Sequence, residues 1–191
     1  MKHTLLLFSF TVIALVSHSQ GYQYEPSAEF PYGQINPEAP AELSDWAPLI
    51  GKCNCTSEVR NKEGNWDGPT DMQWVFKYIM NGMAVQDLTL KADGNHSGSI
   101  RQYNVDSTKW YVHYFASNTP TATLSSWEGT KHEDGNIVLY RDQTAPNGME
   151  GYFRLTFSNI STAGFNWVGE WVNKAETITY PTWRIVCTKE E

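Results

Sequence analysis

Beyond Gly51 the chain is interrupted, roughly every seven to eleven residues, by a short sequence suited to a tight turn. These are Glu63-Gly64, Asp67-Gly68-Pro69, Asn81-Gly82, Asp93-Gly94, Asp106-Ser107, Asp134-Gly135, Pro146-Asn147-Gly148 and Ala163-Gly164. Asn-Gly and Asp-Gly adopt the positive φ angles that two-residue hairpins demand. The segments between them are rich in Trp, Tyr, Phe, Val and Thr, the residues that fit a pleated surface. They predict about ten strands, starting near Lys52, Asp71, Ala84, Gly98, Trp110, Ala122, Asn136, Gly151, Phe165 and Thr179. No amphipathic helix long enough for a crossover separates them, so consecutive strands pair as a meander. A meander of this size removes its unpaired edges by closing on itself. The expected fold is therefore all-β, a closed antiparallel up-and-down barrel, with a two-sheet sandwich as the competing arrangement.

The N-terminal residues read differently. Met1-Lys2-His3 is a short basic start, and Leu5 to Val16 is apolar apart from Ser9 and Thr11. Ser17 and Ser19 then sit where a signal peptidase prefers small residues, which places cleavage before Gln20. The apolar run is about a dozen residues, short of the roughly 20 that a membrane span needs. The expectation is an exported protein: a signal peptide at 1–19, an extended arm with a short helical turn at 20–50, and a barrel domain at 51–191. The arm is rich in Pro and Tyr without periodicity, and its helical turn is expected near Ala41 to Leu49.

The formal charge is −7, and losing the leader removes Lys2 and no acid. That balance disfavours nucleic acid and anionic membranes as partners. Cys53, Cys55 and Cys187 all lie in the mature part. An oxidising compartment permits one disulfide. Barrel closure brings Cys187 beside Cys53 or Cys55. Cys53–Cys187 is the pair expected, with Cys55 as the alternative and three reduced thiols as the competing state. The spacing does not suit a zinc site, and no metal or other cofactor is expected.

Strand alternation divides each segment into two faces. One face carries Trp110, Val112, Tyr114, Phe153, Leu155, Phe157, Phe165, Trp167, Trp171, Trp183 and Ile185. The other carries Tyr111, His113, Tyr152, Arg154, Asn166, Glu170, Thr182 and Arg184, with Arg101 and Tyr103 from the fourth strand. The hydrophobic effect puts the first set inside. The polar set is poor in Lys and rich in Arg, Tyr and His, which converge in wet cavities, so the inverted arrangement is the alternative.

Gly51-Lys52-Cys53 after Trp46-Ala47-Pro48-Leu49-Ile50 resembles the start of a calycin barrel, although lipocalins have Trp where this chain has Cys53. Trp183-Arg184-Ile185-Val186-Cys187-Thr188-Lys189 is similar to the last strand of fatty-acid-binding and lipocalin-like proteins. Phe30-Pro31-Tyr32-Gly33, Asn36-Pro37-Glu38-Ala39-Pro40, Gly151-x-x-Arg154-Leu155-Thr156-Phe157 and Phe165-x-Trp167-x-Gly169-Glu170 resemble a family of small exported lipocalin-like proteins of polysaccharide-degrading bacteria. A branch of that family includes an oligosaccharide dehydratase of ulvan breakdown. The resemblance implies elimination on a uronic-acid-bearing oligosaccharide.

Such a reaction needs donors on the sugar carboxylate, a base for the adjacent proton and an acid for the leaving oxygen. Under the inverted arrangement His113 and Tyr111 move protons, Arg154 and Arg101 hold the carboxylate, and Glu170 orients an Arg. Tyr103, Arg184 and Trp74 complete the substrate-binding set, the indole as a stacking face. His113 is the mid-strand histidine and the one candidate haem ligand, but no second ligand supports haem. Hydrolase, zinc-protease and nucleotide-binding motifs are absent. The rival expectation, from the ordinary orientation, is a non-catalytic barrel binding a small apolar or aromatic ligand. A third is a protein whose exposed aromatics dock a partner.

Overall fold

In the computed structural model, which describes residues 22–190, ten antiparallel strands close into one barrel. The expected signal peptide and its cleavage point lie outside the described residues. The strands are β1 (Gly51–Arg60), β2 (Trp66–Ile79), β3 (Ala84–Lys91), β4 (Ser97–Asn104), β5 (Lys109–Ala116), β6 (Ser125–Lys131), β7 (Ile137–Asp142), β8 (Gly151–Ser161), β9 (Gly164–Asn173) and β10 (Thr179–Lys189). Each pairs with its sequence neighbour, and β1 pairs with β10 to close the ring. Two starts differ from expectation. Strand β2 begins at Trp66, because Val59 and Arg60 of β1 pair with Asp67 and Trp66 beyond a register shift. Asp67-Gly68-Pro69 is thus an irregular stretch of strand, not a turn. Strand β6 begins at Ser125, three residues later than Ala122.

Before the barrel, Ala41–Leu49 forms a 3-10 helix in which Leu43, Trp46 and Leu49 are buried. It seals the end of the barrel at which β1 begins. The Trp46 ring lies 5.1 Å from Phe157, 5.7 Å from Trp110 and 6.4 Å from Phe76. Burying side chains the size of Leu43 and Leu49 contributes about 1.5–3 kcal/mol each. The arm ahead of the helix is pinned to the β2–β3 turn. Tyr78 N–H donates to the Tyr32 carbonyl at 2.8 Å, and Tyr24 N–H to Asn81 Oδ1 at 3.1 Å. Gly82 makes the close approach possible. Its φ is +78°, and a Cβ there would overlap backbone of Gln34 and Asn36.

The alternation on β2 shows why these residues form strands. Met72, Trp74, Phe76 and Tyr78 are buried, while Gln73, Val75 and Lys77 between them are partly exposed. Barrel closure also fixes the disulfide. Cys55 sits directly opposite Cys187, and these two are bonded; Cys53 faces Lys189, one repeat too far along the register, and remains a buried thiol. The expected Cys53–Cys187 pair is therefore corrected to Cys55–Cys187. Among the described residues no helix is long and apolar enough to cross a membrane.

Candidate functional site

The barrel interior is divided along its axis. Near the 3-10 helix it is packed solid by Trp46, Phe76, Trp110, Ile137 and Phe165. Toward the other end it encloses a cavity of about 300 Å³. Ser97, Ser125, Arg141 and Trp183 lie near the strand ends remote from the helix, which makes that end the mouth.

The cavity wall has two halves. Strands β8, β9, β10 and β2 supply Phe153, Leu155, Phe157, Trp167, Trp183, Ile185 and Trp74. Strands β3 to β7 supply Asp87, Thr89, Ser97, Ser99, Arg101, Tyr114, Ser125 and Arg141, among Val112, Trp127 and Leu139. The aromatic half is tightly interlocked. Trp167 crosses Trp183 at 5.1 Å and Trp74 crosses Trp167 at 6.2 Å, both edge to face. Trp183 Nε1 donates to Ser57 Oγ at 2.8 Å, which fixes the plane its indole presents.

The floor of the cavity is a buried ion pair. Arg101 and Asp87 are each 2 % exposed, and Arg101 Nη1 donates to Asp87 Oδ2. Trp74 Nε1 donates to the other Asp87 oxygen at 2.9 Å. The Arg101 guanidinium lies 4.5 Å over Trp46 and 5.1 Å over Phe76. Its Nε–H has no acceptor among the described residues. Two opposite charges this close form a neutral unit, so the floor is polar without net charge.

Arg141 differs. It projects inward from β7 opposite Phe153, with its guanidinium carbon 4.4 Å from the Trp127 ring and 5.8 Å from Phe153. Among the described residues its side chain makes one hydrogen bond, a 3.5 Å contact to Gln143 Oε1. Burial lowers its pKa, and no carboxylate works in the other direction.

The apolar face expected to point inward does so: Trp110, Val112, Leu155, Phe157, Phe165, Trp167 and Ile185 are buried. The inverted arrangement is corrected for most of the polar set. His113 and Tyr111 lie on the outer wall, with His113 Nδ1 2.8 Å from Ser126 Oγ. Arg154 and Glu170 face each other across β8 and β9, also outside, at 2.8 Å. Arg154 contacts Glu176 as well. Burial opposes the charge of Arg154, but Glu170, Tyr140 and Glu176 outweigh it and raise the pKa. Arg184 is exposed and pairs with Glu58 at 2.7 Å, which lowers the Glu58 pKa through its hydrogen bond. Arg101, Tyr103 and Trp74 do face inward; Tyr103 packs at 5.3 Å on Trp110 in the sealed end, away from the cavity. The proposed catalytic residues are therefore not brought together: Arg101 is separated from His113, Tyr111, Arg154 and Glu170 by the barrel wall. No protein-family model matches the chain, and no curated protein matches it.

Sequence reasoning overlooked Asp87 and Arg141. On β3 the leucines mislead. Leu90 is 44 % exposed, whereas Val85, Asp87 and Thr89 are buried. The polar residues of this strand face inward because they build one wall of the cavity. Arg141 was readable, since it continues the alternation of buried Ile137 and Leu139. Among the described residues no cluster of His, Cys, Asp and Glu could hold a metal ion.

Proposed function

We propose that the protein is an exported barrel that binds a small molecule of one or two rings in its interior cavity. The observation that carries this reading is the hollow of about 300 Å³, open at the mouth, with an indole and phenyl wall facing a wall that carries Ser, Thr, Tyr and Arg. That volume stands at the lower end of the range for small-molecule sites. Flat rings stack on the aromatic half, and hydroxyl or carbonyl groups find partners on the other. The Cys55–Cys187 bond supports an oxidising compartment, and with it export.

The test is a melting and indole-fluorescence screen against aromatic acids, neutral aromatics, monosaccharides and disaccharides. A guest of the folded state raises the melting temperature with concentration. At least one class is expected to do so and to quench the indoles, and Leu139→Phe and Leu155→Phe, which shrink the hollow, are expected to remove both effects. No response to any class, or a response unchanged in both variants, would refute the reading.

A second reading is elimination on a uronic-acid-bearing oligosaccharide, favoured by the hydroxyl-rich wall, which suits sugar hydroxyls. In this reading the reaction belongs in the cavity, with Tyr114 moving the proton. Loss of one water from the oligosaccharide, followed by mass, should stop in Tyr114→Phe and continue in His113→Ala. Loss of turnover in His113→Ala alone would return the chemistry to the outer wall.

A further inference from the structure

We infer that the guest carries a carboxylate held at the mouth of the barrel by Arg141, so that it enters ring first and leaves its acid group at the rim. This rests on the reading of the interior as a small-molecule site and adds the chemical class of the guest and its direction of entry.

The two arginines of the cavity wall differ in what neutralises them. Arg101 lies deeper, but Asp87 neutralises it and also accepts from Trp74. An acid group at the floor would meet that carboxylate and has no net positive charge to join. Arg141 has no ion-pair partner among the described residues, although Arg154, Arg184, Lys109 and Lys174 on the outer wall each have one. It is held over two aromatic rings that line the cavity, with its fork of donors next to the hollow. Arg141 is half-buried, and a guanidinium partly withdrawn from water without a carboxylate gains when a guest supplies one. Burial already acts against its charge.

A second cation stands at the same rim. Lys91 ends β3 opposite Met72, which is buried inside the barrel, so it shares that inward face. Its Nζ lies 4.7 Å over the ring of Trp183, another residue of the cavity wall. Lys91 forms no ion pair among the described residues, although Asp93 on the following turn is near enough to feel its charge. Two cations therefore flank the mouth of a chain whose net charge is −7. Attraction of an acid here is local and is not due to the overall charge.

The experiment compares acids with their neutral counterparts. One arm uses 2-naphthoate against 2-naphthamide, and the other uses methyl glucuronoside against methyl glucoside. Charge-assisted hydrogen bonds of ~1.5–3 kcal/mol correspond to about a tenfold or greater preference for the acid. That preference is expected in at least one arm, and the responding arm identifies an aromatic acid or a sugar acid as the guest. In Arg141→Gln the ratio is expected to fall several-fold, to what Lys91 alone sustains, while the affinity for the neutral partner persists, and Arg141→Lys is expected to restore part of it. Equal binding of acid and neutral partner in the native protein overturns the anchor and leaves the cavity standing as a site. An acid preference that is undiminished in Arg141→Gln overturns the anchor too. Absence of binding by all four probes overturns this inference, and silence across the whole screen, disaccharides included, overturns the cavity reading with it.

Discussion

Asp87 is the residue on which the interior most depends. It is 2 % exposed and accepts from both Arg101 and Trp74. Asp87→Ala strands a guanidinium and an indole N–H in the interior, and breaking a buried pair in this way costs about 3–5 kcal/mol. Replacing both partners together, Asp87→Leu with Arg101→Met, is expected to cost clearly less than Asp87→Ala alone in urea unfolding; an equal or larger loss would show that the pair is net stabilising. Tyr78 supplies the pH dependence. Its hydroxyl is buried without a partner among the described residues, and burial pushes its pKa up to about 12. The unfolded phenol ionises near pH 10, so the contribution of the neutral group is intact below that pH. It declines as pH rises from about 10 to 12, by on the order of 3 kcal/mol. Tyr78→Phe should flatten the alkaline limb of a stability–pH curve, and an unchanged limb would remove Tyr78 as its cause. At this scale the sequence was readable where polarity agreed with alternation, as for Trp167 and Ile185. It misled at Asp87, whose inward direction is set by a partner 14 residues away on the neighbouring strand.

At the scale of elements, the turn dipeptides determined most of the fold. Eight of the ten strands begin within one residue of the expected position. Such turns specify their own geometry and need no tertiary information. The exceptions have local causes. Gly68 and Pro69 resemble a turn but lie in an irregular stretch of β2, between the Ser57–Thr70 and Val59–Asp67 pairs. The choice between Cys53 and Cys55 could not be made from spacing, because both face inward on β1 and only the β1–β10 register separates them. Their bond should matter, since it joins the two strands that close the barrel across 132 residues of sequence. Cys187→Ser is expected to lower stability by roughly 2–4 kcal/mol and to leave the barrel folded. The native protein should show a single thiol to a thiol reagent, Cys53, and only after denaturation. A reactive thiol in the folded protein, or an unchanged unfolding midpoint in Cys187→Ser, would contradict this assignment.

For the whole molecule, the division of the interior decides what the barrel can do. One end is filled by the 3-10 helix and its aromatic neighbours, while the other keeps a hollow of about 300 Å³. The sequence showed that one strand face is aromatic and one polar, and the ordinary orientation of those faces is the one observed. What it did not show is that β3 turns Asp87 and Thr89 inward beside Arg101 of β4, so that polar side chains interrupt a mostly aromatic lining. That feature depends on ten strands meeting around one axis, and no single segment records it. The most direct test titrates the acid that binds, 2-naphthoate or methyl glucuronoside, into three proteins and follows indole fluorescence: the native chain, Leu155→Phe inside the cavity and His113→Ala on the outer wall. Saturable quenching is expected in the native chain and in His113→Ala, with loss or strong weakening in Leu155→Phe. Binding that survives Leu155→Phe and disappears in His113→Ala would place the functional site on the outer wall and contradict the account.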